Sequence, residues 1–194
     1  MENDRMGTAG IEDLVGEYLL ESTDETLKKD IQRSCDKCTP IAKGQPAPDF
    51  TLPDIDGKNV SLKDFRGKYV LLDFWFTGCG SCKVMFPYLK LIMNEYMQRN
   101  IVFISISVDQ ERSDWEQMLK EGYYEAGMQV LFEQNPNWIH LHDPQSRALA
   151  KQYLIPGYPT YILIDRDGNY VRSRCENPRR MDKIRALLDA QSGL

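Results

Sequence analysis

The stretch LLDFWFTGCGSCKVMFP, residues 71–87, decides how the rest of the chain is read. An apolar run from Tyr69 to Phe76, patterned as a buried strand, ends in Thr77-Gly78, and Cys79 and Cys82 then stand three apart where helical spacing begins. A cysteine in the first turn of a helix faces unpaired backbone N–H groups and the positive end of the helix dipole, which favour thiolate over thiol. Such a setting lowers a cysteine pKa from ~8.5 into the ~3.5–7.5 range. Cys82, one turn along the same helix, lies within reach of a mixed disulfide formed at Cys79. The pair reads as a two-electron dithiol/disulfide switch.

Other uses of Cys-x-x-Cys are half of a zinc site or an inert structural bridge. Zinc would require two further ligands, and the chain offers only Cys35, Cys38, Cys175, His140 and His142. The strand-turn-helix setting of Cys79 and Cys82 favours redox chemistry over both.

The chain's 194 residues, 42% hydrophobic and 27% charged, suit one globular domain with an extension. A net charge of −5 without a basic run argues against a nucleic-acid surface. No segment approaches the roughly 18 apolar residues that cross a bilayer. The opening MENDRMGTAG lacks a basic-then-apolar signal pattern, so the expectation is a cytosolic chain or the trimmed form of an exported one. Nothing in the sequence calls for a cofactor or a bound metal.

Residues 1–42 read as a helical arm. Ile11, Leu14, Val15, Tyr18 and Leu19 keep helical spacing, and Ser22-x-x-Glu25 opens a second short helix. Cys35-x-x-Cys38 follows with no strand before it. It reads first as a structural or labile disulfide of the arm; an auxiliary pair relaying electrons to or from Cys79 and Cys82, or a metal site with His140 and His142, are the alternatives. The two histidines, two apart in Trp-Ile-His-Leu-His, are expected on one face of a strand.

The domain proper spans 43–194. Asp49 to Leu52 and Asn59 to Leu62 flank Asp56-Gly57 as a β-hairpin. After a turn and the strand Tyr69–Phe76, the motif helix is expected to reach about Met97, burying Met85, Leu89, Ile92 and Tyr96, with a kink at Pro87. Ile101 to Val108 is a central parallel strand, and Ser113-x-x-Glu116 a capping box for a helix that stops at Gly122. Residues 123–136 are read as loop with a short strand near Gln129–Phe132, followed by a strand at Trp138–Leu141. Asp143-Pro144 predicts a helix start continuing through Leu154, Asp167-Gly168 a second hairpin, and Asn177-Pro178 the cap of a final helix. The odd Cys175 is read as buried or incidental.

A second constellation, Ile155-Pro156-Gly157-Tyr158-Pro159-Thr160, precedes the strand Tyr161–Asp165. A proline opening a strand after an aromatic is a good position for a cis bond, which would turn Tyr158's N–H and C=O toward an extended substrate segment; a trans proline in a tight turn is the ordinary alternative.

This order of elements, with the dithiol at the first helix of the domain and a proline before a late strand, resembles the thioredoxin fold: an α/β domain with a central mixed sheet flanked by helices. Residues 43–191, through PAPDFTL, DGKNVSL, DFWFTGCGSCKVMFP and GYPT, resemble the TlpA/ResA-like thiol:disulfide oxidoreductases, whose N-terminal hairpin is shared with peroxiredoxins. The resemblance implies that Cys79 attacks, Cys82 resolves, Pro159 is the cis-proline, and Asp73 is the buried acid that assists proton removal from Cys82. Local chemistry agrees, since a carboxyl in an apolar strand has its pKa raised toward neutrality. Trp75 matches the family's aromatic four before the first cysteine, and with Tyr158 and Pro159 it is assigned to substrate contact.

Three departures stand out. Gly78 replaces a tryptophan, Ser81 replaces the common proline between the cysteines, and Met85 stands where several ResA-type proteins keep a glutamate, leaving Asp73 as the one evident acid of the site. The expected activity is thiol-disulfide exchange with disulfide-containing or dithiol proteins, as a reductase in the first instance, with a redox partner resetting the pair. The resemblance implies a bacterial periplasmic or lipoprotein setting. The alternative is a thioredoxin-like binding module that holds a soft metal or docks a partner without turnover. A peroxidase is a weaker reading, because Leu72 occupies the position of the proline that such an enzyme carries seven residues before its nucleophile.

Overall fold

The computed structural model describes residues 26, 43–125, 128–132, 137–143, 147–172 and 181–191. The chain divides into two compact units, Met1–Pro40 and Ile41–Leu194. The arm readings, Cys35–Cys38 and Cys175 lie outside the described residues, and the second unit carries the architecture below.

A hairpin of β1 (Thr51–Pro53) and β2 (Asn59–Ser61) leads through a 3₁₀ turn at Leu62–Phe65 into β3 (Tyr69–Trp75). Gly57 at the hairpin tip has φ +80°, a conformation that favours glycine and explains the Asp56-Gly57 pair. Next come α1 (Gly80–Tyr96), β4 (Ile101–Ser107), α2 (Arg112–Glu121), a small hairpin of β5 (Tyr123–Glu125) and β6 (Met128–Val130), and β7 (Trp138–His142). The chain continues through α3 (Ala148–Gln152), β8 (Thr160–Ile164), β9 (Tyr170–Arg172) and α4 (Met181–Asp189). The main sheet has the order β7-β4-β3-β8-β9, with β7, β4 and β3 mutually parallel, β8 antiparallel to β3, and β9 antiparallel to β8.

Every residue of β3 and β4 is buried, because both faces of these central strands are covered. On one face Val70, Leu72, Phe74, Ile104 and Ile162 pack with Leu149 and Tyr153; on the other, Leu71, Trp75, Phe103 and Leu163 pack with Cys82, Phe86, Leu89, Trp115 and Leu188. The motif helix buries Met85, Leu89, Ile92 and Tyr96, the face set by the sequence. The chain belongs to the α/β class with a mixed central sheet. Among the described residues no helix is long and apolar enough to cross a membrane.

Several local expectations are corrected. The capping box at Ser113 is not used: α2 begins at Arg112, and its N-cap, Glu111, makes no side-chain cap hydrogen bond. Asp143 does cap a helix, but from six residues away, its Oδ2 accepting the Leu149 N–H at 3.0 Å. That helix is α3, which starts at Ala148 after the left-handed Arg147 and ends at Gln152 rather than Leu154. The segment after Gly122 forms a hairpin, β5–β6, instead of a loop with one strand.

Helix α1 runs as one element through Pro87. Proline has no N–H to give the carbonyl of Lys83, four residues earlier. The Tyr123 hydroxyl supplies that bond instead, donating to the Lys83 carbonyl at 2.6 Å. Removing that donor leaves a half-buried helix carbonyl unpaired. Tyr123→Phe is therefore expected to destabilise the protein by about 1–2 kcal/mol in urea unfolding, with m unchanged.

Candidate active site

The strand β3 ends at Trp75, where Val108 N–H donates to the Trp75 carbonyl at 2.9 Å, and the chain then turns sharply, Cys79 N–H donating to the Phe76 carbonyl at 3.0 Å. Asp109, immediately past the β4 strand, holds this turn. Its carboxylate accepts from Thr77 N–H at 3.0 and 3.1 Å, from the Thr77 hydroxyl at 2.7 Å and from the Ser107 hydroxyl at 2.7 Å. Its own carbonyl oxygen lies 2.9 Å from His142 Nε2, and that ring stacks on Trp115. The loop bearing the first cysteine is thus tied to the sheet through a buried carboxylate. Asp109 is a second acid at the site, contrary to the expectation of Asp73 alone.

Cys79 occupies the N-cap of α1, one position before the first helical turn, and its Sγ accepts the backbone N–H of Cys82 at 3.1 Å. One of the orphan donors of the helix start is thereby satisfied by this sulfur. Cys79 and Cys82 are joined in a disulfide, with Cα atoms 5.3 Å apart. The neighbours Gly78, Gly80 and Ser81 are exposed, so small residues rim the bond and a partner backbone can approach it. A Cβ on Gly78 would stand 3.0 Å from the Phe76 ring, which itself packs edge-on against Tyr158. The absence of a bulky residue before Cys79 therefore goes with an aromatic pair filling that place.

Pro159 is buried, and the Tyr158–Pro159 bond is cis. The Ser81 hydroxyl donates to the Tyr158 carbonyl at 3.3 Å and lies 3.7 Å from Cys79 Sγ. In this disulfide form the Tyr158 carbonyl accepts one hydrogen bond from the residue between the two cysteines. Arg147 lies over both the Phe76 and Tyr158 rings, 5.9 and 5.7 Å from their centroids.

Trp75 is misassigned by the sequence reading. It is fully buried, in edge contact with Phe86 at 4.8 Å and stacked on Phe132 at 5.8 Å, so it presents no surface to a substrate. Its position supports the site from beneath.

Asp73 is 2% exposed on β3. Leu71 and Trp75, two residues either side and therefore on the same face, pack in the cluster that holds Cys79 and Cys82. Burial pushes the Asp73 carboxyl up from 3.8 to about 7, and a hydrogen bond from Ser105 opposes that rise. The Ser105 hydroxyl donates to Asp73 Oδ2 at 3.1 Å and accepts from Trp138 Nε1 at 2.9 Å. His140, beside Trp138, is held down to about 3 by burial and is neutral. Among the described residues, no three His, Cys, Asp or Glu side chains gather as a metal site.

Asp109, Ser105, Ser107, Trp138 and Tyr123 escaped the sequence reading. A signal existed for three of them: serines at alternate positions of the apolar run IVFISISV, and an acid directly after it, mark polar groups on one face of a buried strand.

A redox-active dithiol at a strand-to-helix turn, a cis-proline loop across from it and a buried acid beneath define a thioredoxin-like exchange site. The Redoxin family model matches residues 42–188, and the chain belongs to that family. It is 30% identical over 129 residues to thiol-disulfide oxidoreductase ResA of Bacillus thuringiensis, covering 66% of this chain and 67% of the relative. Among solved structures it resembles the thioredoxin domain of a thiol-disulfide oxidoreductase from Bacteroides vulgatus (TM-score 0.60, 30% identity, 76% of this chain and 96% of the other). It also resembles an exposed lipoprotein thioredoxin of Streptococcus pneumoniae (TM-score 0.57, 25% identity, 73% and 99%). The protein is a thiol-disulfide oxidoreductase of the TlpA/ResA-like type.

A carboxyl that ionises with more difficulty folded than unfolded stabilises the fold only while neutral. That contribution is complete below about pH 4 and is lost as pH rises through about 7. Asp73→Asn cannot ionise, so its stability relative to wild type is expected to climb between pH 4 and 7 and then level off, by a few kcal/mol at most. Urea unfolding of both oxidised proteins across this range checks it, and the His140 contribution, common to both, cancels.

Proposed function

We propose that the protein reduces disulfides in other proteins. The observation that carries this reading is the asymmetry of the pair: Cys79 Sγ at the helix start accepts a backbone amide that would stabilise a sulfur anion, whereas Cys82, one turn on, packs on the face of a carboxyl able to take its proton. Cys79 thiolate attacks one sulfur of a partner disulfide, and the other sulfur leaves as a thiolate. Cys82 then loses its proton to Asp73 and attacks Cys79 Sγ. The bond to the partner breaks, and the second partner sulfur departs with the electron pair. Two electrons have passed to the partner, which is now a dithiol, and Cys79–Cys82 is the disulfide seen here.

Pro159 and Tyr158 line the edge along which an extended partner segment would lie, and the Tyr158 carbonyl, which accepts from Ser81, keeps a second lone pair for a partner N–H. A separate dithiol donor resets the pair. The exposed lipoprotein among the similar structures supports an extracytoplasmic location. Residues 1–42 form a separate arm in this reading, and Cys35 and Cys38 a disulfide of that arm.

Insulin reduction tests the proposal. Wild type with dithiothreitol as donor is expected to precipitate insulin, Cys79→Ser to fall to background, and Cys82→Ser to accumulate a mixed disulfide visible by mass; activity retained in Cys79→Ser would sink the reading. In a glutathione titration, Cys35→Ser/Cys38→Ser is expected to leave the Cys79/Cys82 potential within about 30 mV of wild type, which is a tenfold change in equilibrium constant.

A further inference from the structure

We infer that Ser105 and Trp138 act as a positioning pair that dictates which oxygen of Asp73 carries the proton taken from Cys82. The inference rests on the reading of Asp73 as that proton's acceptor.

Asp73, Ser105 and His140 are register partners across β3, β4 and β7, so they form one row on the sheet face beneath α1. The direction of each hydrogen bond in the row is determined. An indole N–H has no lone pair to offer, so Trp138 can only donate to Ser105 Oγ. The hydroxyl's single hydrogen is then directed to Asp73 Oδ2. An oxygen already serving a fixed donor is a good seat for negative charge and a poor one for a proton. The other oxygen, Oδ1, is buried and has no hydrogen-bond partner among the described residues. The proton therefore goes to Oδ1.

Few other groups face this row. Tyr161 on β8 is the register partner of Asp73 from the opposite side. His140 on β7 is neutral, with neither ring nitrogen hydrogen-bonded among the described residues. Cys79 and Cys82 on α1 are uncharged as a disulfide. No lysine or arginine belongs to this set, so Ser105 supplies the interaction that favours the carboxylate against burial.

In the step itself Cys82 Sγ–H gives its proton to Asp73 Oδ1, and the new thiolate attacks Cys79 Sγ. The partner thiolate leaves with the electron pair and is protonated from Asp73 or from solvent. Trp138 and Ser105 gain or lose no proton. They hold Oδ2 occupied throughout.

The experiment follows the Asp73 carboxyl carbon by NMR in the reduced, full-length protein, alongside the pH profile of partner release in single-turnover insulin reduction. Ser105→Ala is expected to move the Asp73 midpoint upward by about one pH unit, with the release profile following it. Ser105→Thr, which keeps the hydroxyl, is expected to restore both. Trp138→Phe removes only the N–H and is expected to move them in the same direction by less. If Ser105→Ala fails to fold, Trp138→Phe decides, and an unmoved midpoint overturns the inference. A midpoint unmoved in Ser105→Ala while Asp73→Asn flattens the release profile also overturns it and leaves the reading of Asp73 standing. A release profile unchanged in Asp73→Asn removes both.

Discussion

A sulfur atom accepting a backbone N–H at the start of a helix is the contact on which the site depends, and it is only as dependable as the backbone on either side of it. Cys79 Sγ meets the Cys82 amide because α1 begins one residue later and the strand before it ends at Trp75. Between them lie three residues, Phe76, Thr77 and Gly78, which must hold one conformation for that amide to point at the sulfur. Asp109 secures them with three hydrogen bonds from Thr77, and it is itself held by Ser107 and approached by His142. A buried carboxylate that is fully engaged by donors rigidifies a loop where apolar packing alone would permit several arrangements.

Two buried carboxyls one strand apart thus have opposite roles, and their surroundings account for the difference. Asp109 has four hydrogen bonds arriving at its carboxylate oxygens, and serves as a structural tie. Asp73 receives one, from Ser105, and the loss of water around it is not compensated. Such a group ionises near neutrality and can exchange a proton in the working range. The fold bears the energetic penalty of keeping it there, and a sheet buried on both faces can absorb that penalty because the remaining residues of β3 and β4, apart from Ser105 and Ser107, are apolar and buried.

The helix carrying the dithiol shows the same division between local chemistry and distant support. Pro87 interrupts its hydrogen-bond ladder, and the gap is filled from β5 by Tyr123, outside the helix. Trp75 and Phe86 anchor the underside of α1 through Phe132, which belongs to neither element. Elements remote in sequence therefore decide how firmly the first turns of α1, and with them both sulfurs, are seated.

The sequence by itself determined the class of fold, the paired cysteines at a strand-to-helix turn, the cis-proline position and the buried acid in the strand. The strand, the motif helix and the cysteine spacing are local and follow from a period of two or 3.6, whereas the class of fold, the cis form at Pro159 and the part given to Asp73 came from the resemblance of these motifs to a known family. It also marked Trp75 as important while misjudging why, since an aromatic near a reactive cysteine reads the same whether it faces a partner or the core. Only the tertiary structure decided that Asp109 clamps the loop, that Ser105 and Trp138 bear on Asp73, and that Ser81 meets the Tyr158 carbonyl. Those contacts join residues 32, 33 and 77 positions apart. No spacing rule reaches that far, because strand register and sheet order, not chain proximity, bring such groups within hydrogen-bond distance.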